Sequence, residues 1–254
     1  MQQERKSRDT GAPLAVVLAG GLGTRLRPLT ESIPKALIPV QGKPLTEHVL
    51  DIIRSHGVTE AILALCYRAD QVSDYFGDGS RFGMSIGYII EEQPRGTAGF
   101  LSLLKQKERT LLVLNGDVLS EIDITGLLRY HREMRASHGA VASIALTEVE
   151  DPSRFGVAAL EGERIARFVE KPLPEEAPSR WISSGYYVLS PEIFSYLPKR
   201  EHVMFETDIF PRLASEGKLF GFKGRGQWFD TGTWESYRLV EREWKGVQEK
   251  EGVR

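Results

Sequence analysis

Residues 13–30 read PLAVVLAGGLGTRLRPLT, a short apolar run that opens into a glycine-rich loop. A nearly continuous apolar run that ends at glycines is typical of a strand buried on both faces of a parallel sheet. Between Gly20 and Gly23, three glycines in four positions allow backbone N–H groups to line an anion without obstruction by side chains. Arg25 and the later Lys35 add full positive charges, the arginine as a planar fork and the lysine as a point charge. The stretch therefore predicts a phosphate-binding loop at the end of a buried strand.

Two common phosphate loops do not fit this stretch. A P-loop needs Gly-Lys followed by Ser or Thr after its first glycine, and the sequence does not provide it. A Rossmann fingerprint needs a glycine or alanine three residues after Gly23, where Leu26 stands. A plain glycine-rich turn with solvated basic residues is the simpler alternative. The preceding strand and the spacing of the two basic residues favour a phosphate site.

Apolar runs and helical periodicities alternate along the chain through about residue 146. Such runs predict buried strands, and an i, i+3, i+4 spacing of apolar residues predicts helices. The alternation predicts an α/β domain whose parallel sheet is covered by helices on both faces. The predicted strands are Pro13–Ala19, Ala61–Cys66, Leu111–Leu114 and Ala140–Leu146, and the predicted helices are Thr46–Ser55 and Ile124–Arg135, the second with Asp123 as its N-cap.

After residue 146 the pattern becomes rich in strands, which predicts an antiparallel extension or a lid. The segment Pro172–Arg180, with three prolines, is typical of a loop rather than a domain linker. We expect one domain over residues 13–254, preceded by a mobile arm at residues 1–12 that offers nothing to bury. The predicted elements of this part are strands at Val157–Leu160, Arg164–Val169, Trp181–Leu189 and Lys218–Lys223, and a closing helix at Thr233–Trp244.

The composition excludes several classes of protein. A chain of 254 residues, 41% of them hydrophobic, can build a core without a disulfide or a structural metal. A net charge of −2 gives no electrostatic footprint for nucleic acid, and the single cysteine, Cys66, suits a reducing compartment. The polar start resembles no secretory signal, and no apolar run approaches membrane-spanning length, so we expect a cytoplasmic protein without a membrane partner. The five histidines show no metal-ligand spacing.

The glycine-rich loop is the first of an ordered series of motifs. They are GGLGTRLRPLT (20–30), PKALIPVQGKPL (34–45), EQPRGTAG (92–99), NGD (115–117), RFGV (154–157), EKP (170–172) and WFDTGT (228–233). The series resembles sugar-1-phosphate nucleotidylyltransferases, most of all short mannose-1-phosphate guanylyltransferases and next heptose-1-phosphate guanylyltransferases. The resemblance implies a Rossmann-like three-layer α/β domain with a mostly parallel mixed sheet and a small antiparallel extension on the sugar side. It also implies Mg²⁺-dependent synthesis of an NDP-sugar and pyrophosphate from an NTP and a sugar-1-phosphate.

The resemblance implies a nucleotide site built from the glycine-rich loop and a base-recognition loop at Tyr88–Gly99. Its nucleotide-binding residues are Leu18, Ala19, Gly20, Gly21, Gly23, Thr24, Arg25, Glu91, Gly96 and Thr97, and its catalytic residues are Arg25, Lys35 and Asp117. The acidic Glu91 favours GTP, because a carboxylate can accept both N1–H and N2–H of guanine, whereas an amide suits uracil or thymine. The alternative is that Glu91 and Glu92 only solvate the end of a strand.

The resemblance also implies which residues bind the metal ion and which bind the sugar-1-phosphate. Asp117 follows a buried strand, Asp230 lies far along the chain, and these two match the family's Mg²⁺ ligands, although each alone would more often cap a helix or a turn. On the sugar side, the implied substrate-binding residues are Gly156, Glu170, Lys171 and Ser183, with the lysine on the sugar phosphate and the glutamate on a hydroxyl. Many relatives carry asparagine in place of Ser183, which leaves the sugar open.

Two other classes of function remain open at this point. A non-catalytic regulatory subunit could keep the fold, but it would be expected to have lost some of the charged residues named above. A glycosyltransferase of related fold would need an Asp-X-Asp-like motif, and Asn115-Gly116-Asp117 lacks the first acid. Within the favoured class, UTP, dTTP or CTP could replace GTP. The chain could also form a homo-oligomer.

Overall fold

A computed structural model describes residues 12–246. The predicted arm at residues 1–12 therefore lies, except for Ala12, outside the described residues, as do residues 247–254. The strands are β1 (Leu14–Leu18), β2 (Pro39–Val40), β3 (Lys43–Pro44), β4 (Glu60–Leu65), β5 (Ser85–Ile90), β6 (Leu111–Asn115), β7 (Val118–Ser120), β8 (Ala142–Glu148), β9 (Gly156–Glu161), β10 (Arg164–Glu170), β11 (Trp181–Leu189), β12 (Leu219–Lys223) and β13 (Trp228–Asp230). The helices are α1 (Leu29–Ser32), α2 (Leu45–Ser55), α3 (Ala69–Phe76), α4 (Ile124–His138), α5 (Phe210–Ser215) and α6 (Trp234–Glu243), and a π-helical segment spans Phe205–Ile209.

A nine-stranded mixed sheet forms the centre of the fold, in the order β5-β4-β1-β6-β11-β8-β12-β10-β9. Strands β5, β4, β1 and β6 are parallel, and β11 runs antiparallel to β6 and to β8. Ile182 of β11 also pairs with Val157 of β9, so β8, β12, β10, β9 and β11 form a closed ring of pairings. The mixed sheet with an antiparallel extension therefore agrees with the sequence-based prediction.

The central strands are buried on both faces, as their continuous apolar runs predict. Ala15 and Val17 of β1 belong to one hydrophobic cluster, which also contains apolar residues of α2, α3, α4 and α6. Leu14 and Val16 of the same strand belong to the opposite cluster, which contains Phe205 and residues of α5. Because successive residues of a strand point to opposite faces, one apolar run supplies both cores. The result is a three-layer arrangement.

The structure differs from the sequence-based predictions in three elements. Strand β5 and helix α3 were not predicted, and α4 extends past its predicted end. Strand β5, at the edge of the sheet, alternates exposed and buried residues, so it lacks the continuous apolar run that marks the inner strands. Asp123 does precede α4, but its side chain makes no capping hydrogen bond, and its carboxylate lies 3.7 Å from Nδ1 of His56 instead. The structure thus confirms Asp123 as the N-cap residue of α4, although its side chain does not bond to the first turn of the helix. The helix continues past Arg135 to His138 and stops at Gly139, whose φ is +68°.

No helix in the described part of the chain is both long enough and apolar enough to cross a membrane. The prediction of one domain over residues 13–254 stays a prediction.

Candidate active site

Two adjoining cavities open along the edge of the sheet where the parallel strands end. The first, of about 470 Å³, is lined by the glycine-rich loop and by residues that follow β4, β5 and β6; we call it the loop cavity. The second, of about 450 Å³, is lined by residues of β9 and β11 and by Glu170 and Lys171; we call it the extension cavity. Arg25, Asn115 and Asp117 line both cavities. In open α/β sheets this edge is where ligands bind.

The backbone of the glycine-rich loop packs closely against neighbouring residues, so that glycine is favoured at two of its positions. Gly23 has a left-handed φ of +62°, and a Cβ added there would lie 2.6 Å from Cγ2 of Thr30. The hydroxyl of Thr30 donates a hydrogen bond to the carbonyl of Gly23 (2.9 Å), which fixes this turn. A Cβ on Gly20 would lie 3.0 Å from the backbone nitrogen of Cys66. All of the predicted nucleotide-binding residues line the loop cavity, namely Leu18, Ala19, Gly20, Gly21, Gly23, Thr24, Arg25, Glu91, Gly96 and Thr97.

An ion pair joins two of the predicted catalytic residues. Nζ of Lys35 donates to Oδ2 of Asp117 at 2.5 Å, and the lysine is almost completely buried. Desolvation of the Asp117 carboxyl would raise its pKa, but the charge and hydrogen bond of Lys35, with help from Arg25, outweigh it and hold the pKa below its usual range. Asp117 therefore stays ionised where the two cavities meet.

Asp230 approaches Asp117 from a separate part of the chain. Strand β13 pairs with β7 so that Asp230 faces Val118, and Thr231 donates two hydrogen bonds to the carbonyl of Asp117, from its nitrogen (2.9 Å) and its hydroxyl (2.8 Å). Burial and, next, the negative charge of Asp117 raise the pKa of Asp230. An ionised carboxylate that raises the pKa of its neighbour forms, together with that neighbour, a site that a cation would stabilise.

The residues at this point fit a magnesium ion. Among residues 12–246, no three His, Cys, Asp or Glu side chains come together as a metal site, so the protein can offer the two carboxylates of Asp117 and Asp230. Magnesium is commonly held by one or two carboxylates, with substrate phosphates and water as the remaining ligands. The donor set is therefore appropriate for Mg²⁺ bound together with a phosphate.

The extension cavity contains the predicted sugar-side residues Gly156, Glu170, Lys171 and Ser183. Lys171 has an unusual φ of +45°, its nitrogen donates to the carbonyl of Phe155 (3.0 Å), and its Nζ lies 3.2 Å from Oε1 of Glu170. A Cβ on Gly156 would lie 2.3 Å from Cζ of Phe168, so only glycine fits there. The structure thus divides the predicted residues between the two cavities, the nucleotide set in one and the sugar set in the other.

Among the polar residues that line the cavities, Asn115 and Glu206 were not predicted as site residues. Asn115 lies at the junction of the cavities, and its buried Oδ1 has no hydrogen-bond partner among the described residues. Glu206 projects into the extension cavity from the π-helical segment. Asn115 stands in the Asn-Gly-Asp motif and could have been found there, whereas Glu206 belongs to none of the motifs.

The fold and the paired cavities define a Rossmann-like α/β protein with a phosphate-binding loop beside a second polar site. Residues 14–245 match the family model described as nucleotidyl transferase, and the chain belongs to this family. It is 40% identical over 228 residues to a mannose-1-phosphate guanylyltransferase of Mycobacterium tuberculosis, in an alignment that covers 88% of this chain and 62% of the relative. The chain thus spans about three fifths of the length of this curated relative.

Two solved structures with the same fold cover almost the whole chain. A protein from Bacillus anthracis, described as a glucose-1-phosphate thymidylyltransferase in complex with a sucrose, matches with a TM-score of 0.83 and 27% identity, over 93% of this chain and 97% of that one. HddC from Yersinia pseudotuberculosis, complexed with GMP-PN, matches with a TM-score of 0.72 and 28% identity, over 92% and 100% of the two chains. These matches confirm the predicted fold class.

Proposed function

We propose that this protein is a sugar-1-phosphate nucleotidylyltransferase, which joins an NTP to a sugar-1-phosphate and releases pyrophosphate. The observation that carries the proposal is the meeting of two cavities at Asp117, one lined by the glycine-rich loop and the other by Glu170 and Lys171. A transfer between two phosphorylated substrates needs two such neighbouring sites with charge neutralisation between them. The family membership supports the proposal.

The proposed reaction is a direct in-line displacement. An oxygen of the sugar phosphate attacks the α-phosphorus of the NTP, a new P–O bond forms, and the bond to the leaving pyrophosphate breaks. The backbone of the glycine-rich loop and Arg25 hold the triphosphate, Lys35 faces the α-phosphate, and Lys171 aligns the sugar phosphate. Bound Mg²⁺, held by Asp117 and Asp230, would neutralise negative charge on the phosphates.

Lys35 has a second task in this proposal. Nζ of Lys35 lies 2.5 Å from Oδ2 of Asp117, which is one of the two carboxylates that would hold the metal. When an NTP binds, the lysine would exchange this carboxylate for an oxygen of the α-phosphate, a partner that also carries negative charge. The resting ion pair therefore keeps Lys35 close to the reaction centre and satisfied before substrate binds.

We assign guanine as the preferred base and mannose-1-phosphate as the preferred sugar substrate. Glu91 lines the loop cavity at the end of β5 and is partly buried, which supports a role in binding the base. Its Oε2 accepts a hydrogen bond from the nitrogen of Arg95 (3.1 Å), which orients the carboxylate. Guanine's adjacent N1–H and N2–H donors match such a carboxylate. The resemblance to a mannose-1-phosphate guanylyltransferase favours the same pair. A cytoplasmic location fits the single cysteine.

A pyrophosphate-release assay on a grid of substrates tests the proposal. Each of GTP, UTP, dTTP and CTP is combined with mannose-, glucose- and heptose-1-phosphate in the presence of Mg²⁺. We expect the greatest release with GTP and mannose-1-phosphate. Preference for a pyrimidine nucleotide would overturn the assignment of the base alone. Absence of release for every combination would instead favour a non-catalytic, nucleotide-sugar-binding role.

A further inference from the structure

The π-helical segment Phe205–Ile209 lies between the two cavities. Met204, just before it, lines the loop cavity, whereas Glu206 within it lines the extension cavity. The segment is held at its start, because Oδ2 of Asp208 accepts a hydrogen bond from the nitrogen of Met204 (2.9 Å) and Oδ1 of Asp208 pairs with Arg200 at 2.5 Å. Single π-helical turns occur frequently at functional sites. The position of Glu206 is therefore well defined by its own segment.

A hydrogen bond connects this segment to the predicted base-recognition loop. The hydroxyl of Thr97 donates to Oε2 of Glu206 at 2.6 Å and accepts from the nitrogen of Phe205 at 2.9 Å. The backbones are joined as well, since the nitrogen of Ala98 donates to the carbonyl of Val203 (2.9 Å). Thr97, which lines the loop cavity, is therefore bonded directly to a carboxylate that lines the extension cavity.

The surroundings of Glu206 favour additional hydrogen-bond donors to its carboxylate. Burial and, more weakly, the charge of Glu170 raise the pKa of Glu206, whereas the Thr97 hydroxyl and, more weakly, Lys171 lower it. A partly buried carboxylate carries a desolvation cost that additional hydrogen bonds offset. Sugar hydroxyls are neutral donors of the right kind, and they would enter this same cavity.

We propose that Glu206 binds a hydroxyl of the sugar ring. We also propose that its hydrogen bond from Thr97 couples the base-recognition loop to the extension cavity. The inference rests on the proposed function, since it requires that the extension cavity takes the sugar. A nucleotide bound in the loop cavity then fixes the position of Thr97. The hydroxyl of Thr97 fixes the carboxylate of Glu206, and this carboxylate orients the sugar ring. If the hydrogen bond between Thr97 and Glu206 only stabilised the fold, its acceptor would not need a charge, because the side-chain oxygen of a glutamine accepts a hydrogen bond from the Thr97 hydroxyl equally well.

Steady-state kinetics of Glu206→Gln test the binding role. The variant keeps the size of the side chain and an acceptor for Thr97 but loses the charge. We expect KM for the sugar-1-phosphate to rise about tenfold or more, the loss of a charge-assisted hydrogen bond, while KM for the NTP changes less than about twofold. The matched control is Glu192→Gln, which removes an exposed carboxylate outside both cavities and should change neither value.

Deoxy analogues of the sugar-1-phosphate identify the hydroxyl. For the analogue that lacks the group bound by Glu206, the wild type loses affinity, and Glu206→Gln causes little further loss. If the substitution costs the same factor with every analogue, Glu206 binds no hydroxyl and the inference is wrong. Glu206→Asp, which keeps the charge but shortens the side chain, should also raise KM for the sugar and provides a second variant if the first unfolds.

Thr97 tests the coupling. Thr97→Val removes the hydroxyl that donates to Glu206, and we expect it to raise KM for the sugar-1-phosphate, although Thr97 lines the loop cavity. Thr97→Ser restores the hydroxyl and should recover most of this loss. A change in KM for the NTP alone would contradict the coupling. If the wild type turns over no sugar-1-phosphate at all, the proposed function fails. If it does, and the sugar KM of Glu206→Gln is normal, only this inference fails.

Discussion

Asp117 and Asp230 show how single residues set the chemistry of the site. One carboxyl has its pKa lowered, because the charge and hydrogen bond of Lys35 outweigh the burial that would raise it, and the other has its pKa raised by burial and by its neighbour's charge. Asp117 lines both the loop cavity and the extension cavity, and Asp230 lines the extension cavity beside it. Charge is therefore concentrated at the junction, which is where the phosphates of two substrates would meet.

Replacing either aspartate should abolish most of the turnover. Asp117→Asn and Asp230→Asn keep the shape of the side chain, but a neutral amide binds Mg²⁺ poorly, so we expect kcat to fall by orders of magnitude. The assay is pyrophosphate release at saturating substrates, with thermal unfolding as a check that the variants are folded. Near-normal turnover in both variants, or wild-type activity that persists in EDTA, would exclude the metal assignment.

Lys171 should affect one substrate more than the other. It lines the extension cavity and not the loop cavity, so Lys171→Ala should raise KM for the sugar-1-phosphate more than KM for the NTP. Lys105→Ala, a substitution of an exposed lysine outside both cavities, serves as the control. Loss of NTP binding in place of sugar binding would mean that the two cavities are assigned in reverse.

Glu91 should determine the preference for the base. Glu91→Gln exchanges a carboxylate for an amide that matches uracil and thymine, and each lost charge-assisted bond is worth roughly 1.5–3 kcal/mol. We therefore expect the ratio of kcat/KM for GTP to that for UTP to fall by about tenfold or more. The measurement is pyrophosphate release with each NTP at low concentration. An unchanged ratio would leave Glu91 as a strand-end residue without a role in base selection.

Sequence reasoning could identify residues that belong to local motifs and not those that distant contacts create. The glycine-rich loop, Lys35 and Lys171 carry their chemistry within short segments, so the sequence alone placed them in the site. The carboxylate of Glu206 accepts a hydrogen bond from Thr97, which lies 109 residues earlier in the chain. No pattern within the sequence around Glu206 reports that contact.

At the scale of elements, the helix α6 depends on a polar contact inside one of the hydrophobic cores. Nε2 of His48 donates to the carbonyl of Val40 (2.8 Å), so its Nδ1 is the acceptor for the indole Nε1–H of Trp244 (3.3 Å) just after α6. This arrangement requires a neutral imidazole. The apolar spacing of α2 predicted the helix from the sequence, but nothing in that spacing shows that His48 faces a tryptophan almost two hundred residues away.

The His48 contact should make stability depend on pH. Burial lowers the pKa of His48 below the value of about 6.5 that applies in the unfolded chain, so between these two values the unfolded state binds the extra proton. The free energy of unfolding should therefore decline as pH falls below about 6.5, by at most about 1.4 kcal/mol per pH unit from this group. It should be constant, as far as His48 is concerned, above that pH.

Urea unfolding at pH 7.5 and pH 5.5 measures this dependence. In His48→Gln the decline between the two pH values should be smaller than in the wild type, even if the variant is less stable overall. His138→Gln provides the control, because His138 is an exposed residue at the end of α4. An equal decline in the wild type and His48→Gln would show that other groups cause the pH dependence.

At the scale of the whole molecule, the change from a parallel to an antiparallel arrangement within the sheet places the site. The four parallel strands β5, β4, β1 and β6 end at the loop cavity, and β9 and β11 of the closed ring line the extension cavity. The alternation of apolar runs predicted three of these four parallel strands, β4, β1 and β6, and the loss of helices after residue 146 predicted an antiparallel extension. The ring itself depends on the pairing of Ile182 with Val157, which no local pattern encodes.

The stoichiometry of products tests the central claim, that one site joins two phosphorylated substrates. Purified protein is incubated with GTP, mannose-1-phosphate and Mg²⁺, and the products are followed by ³¹P NMR. We predict that GDP-mannose and pyrophosphate appear in equal amounts, and that neither appears when the sugar phosphate is omitted. Pyrophosphate released with GMP and without a nucleotide sugar would contradict the claim, because water rather than the sugar phosphate would then be the nucleophile.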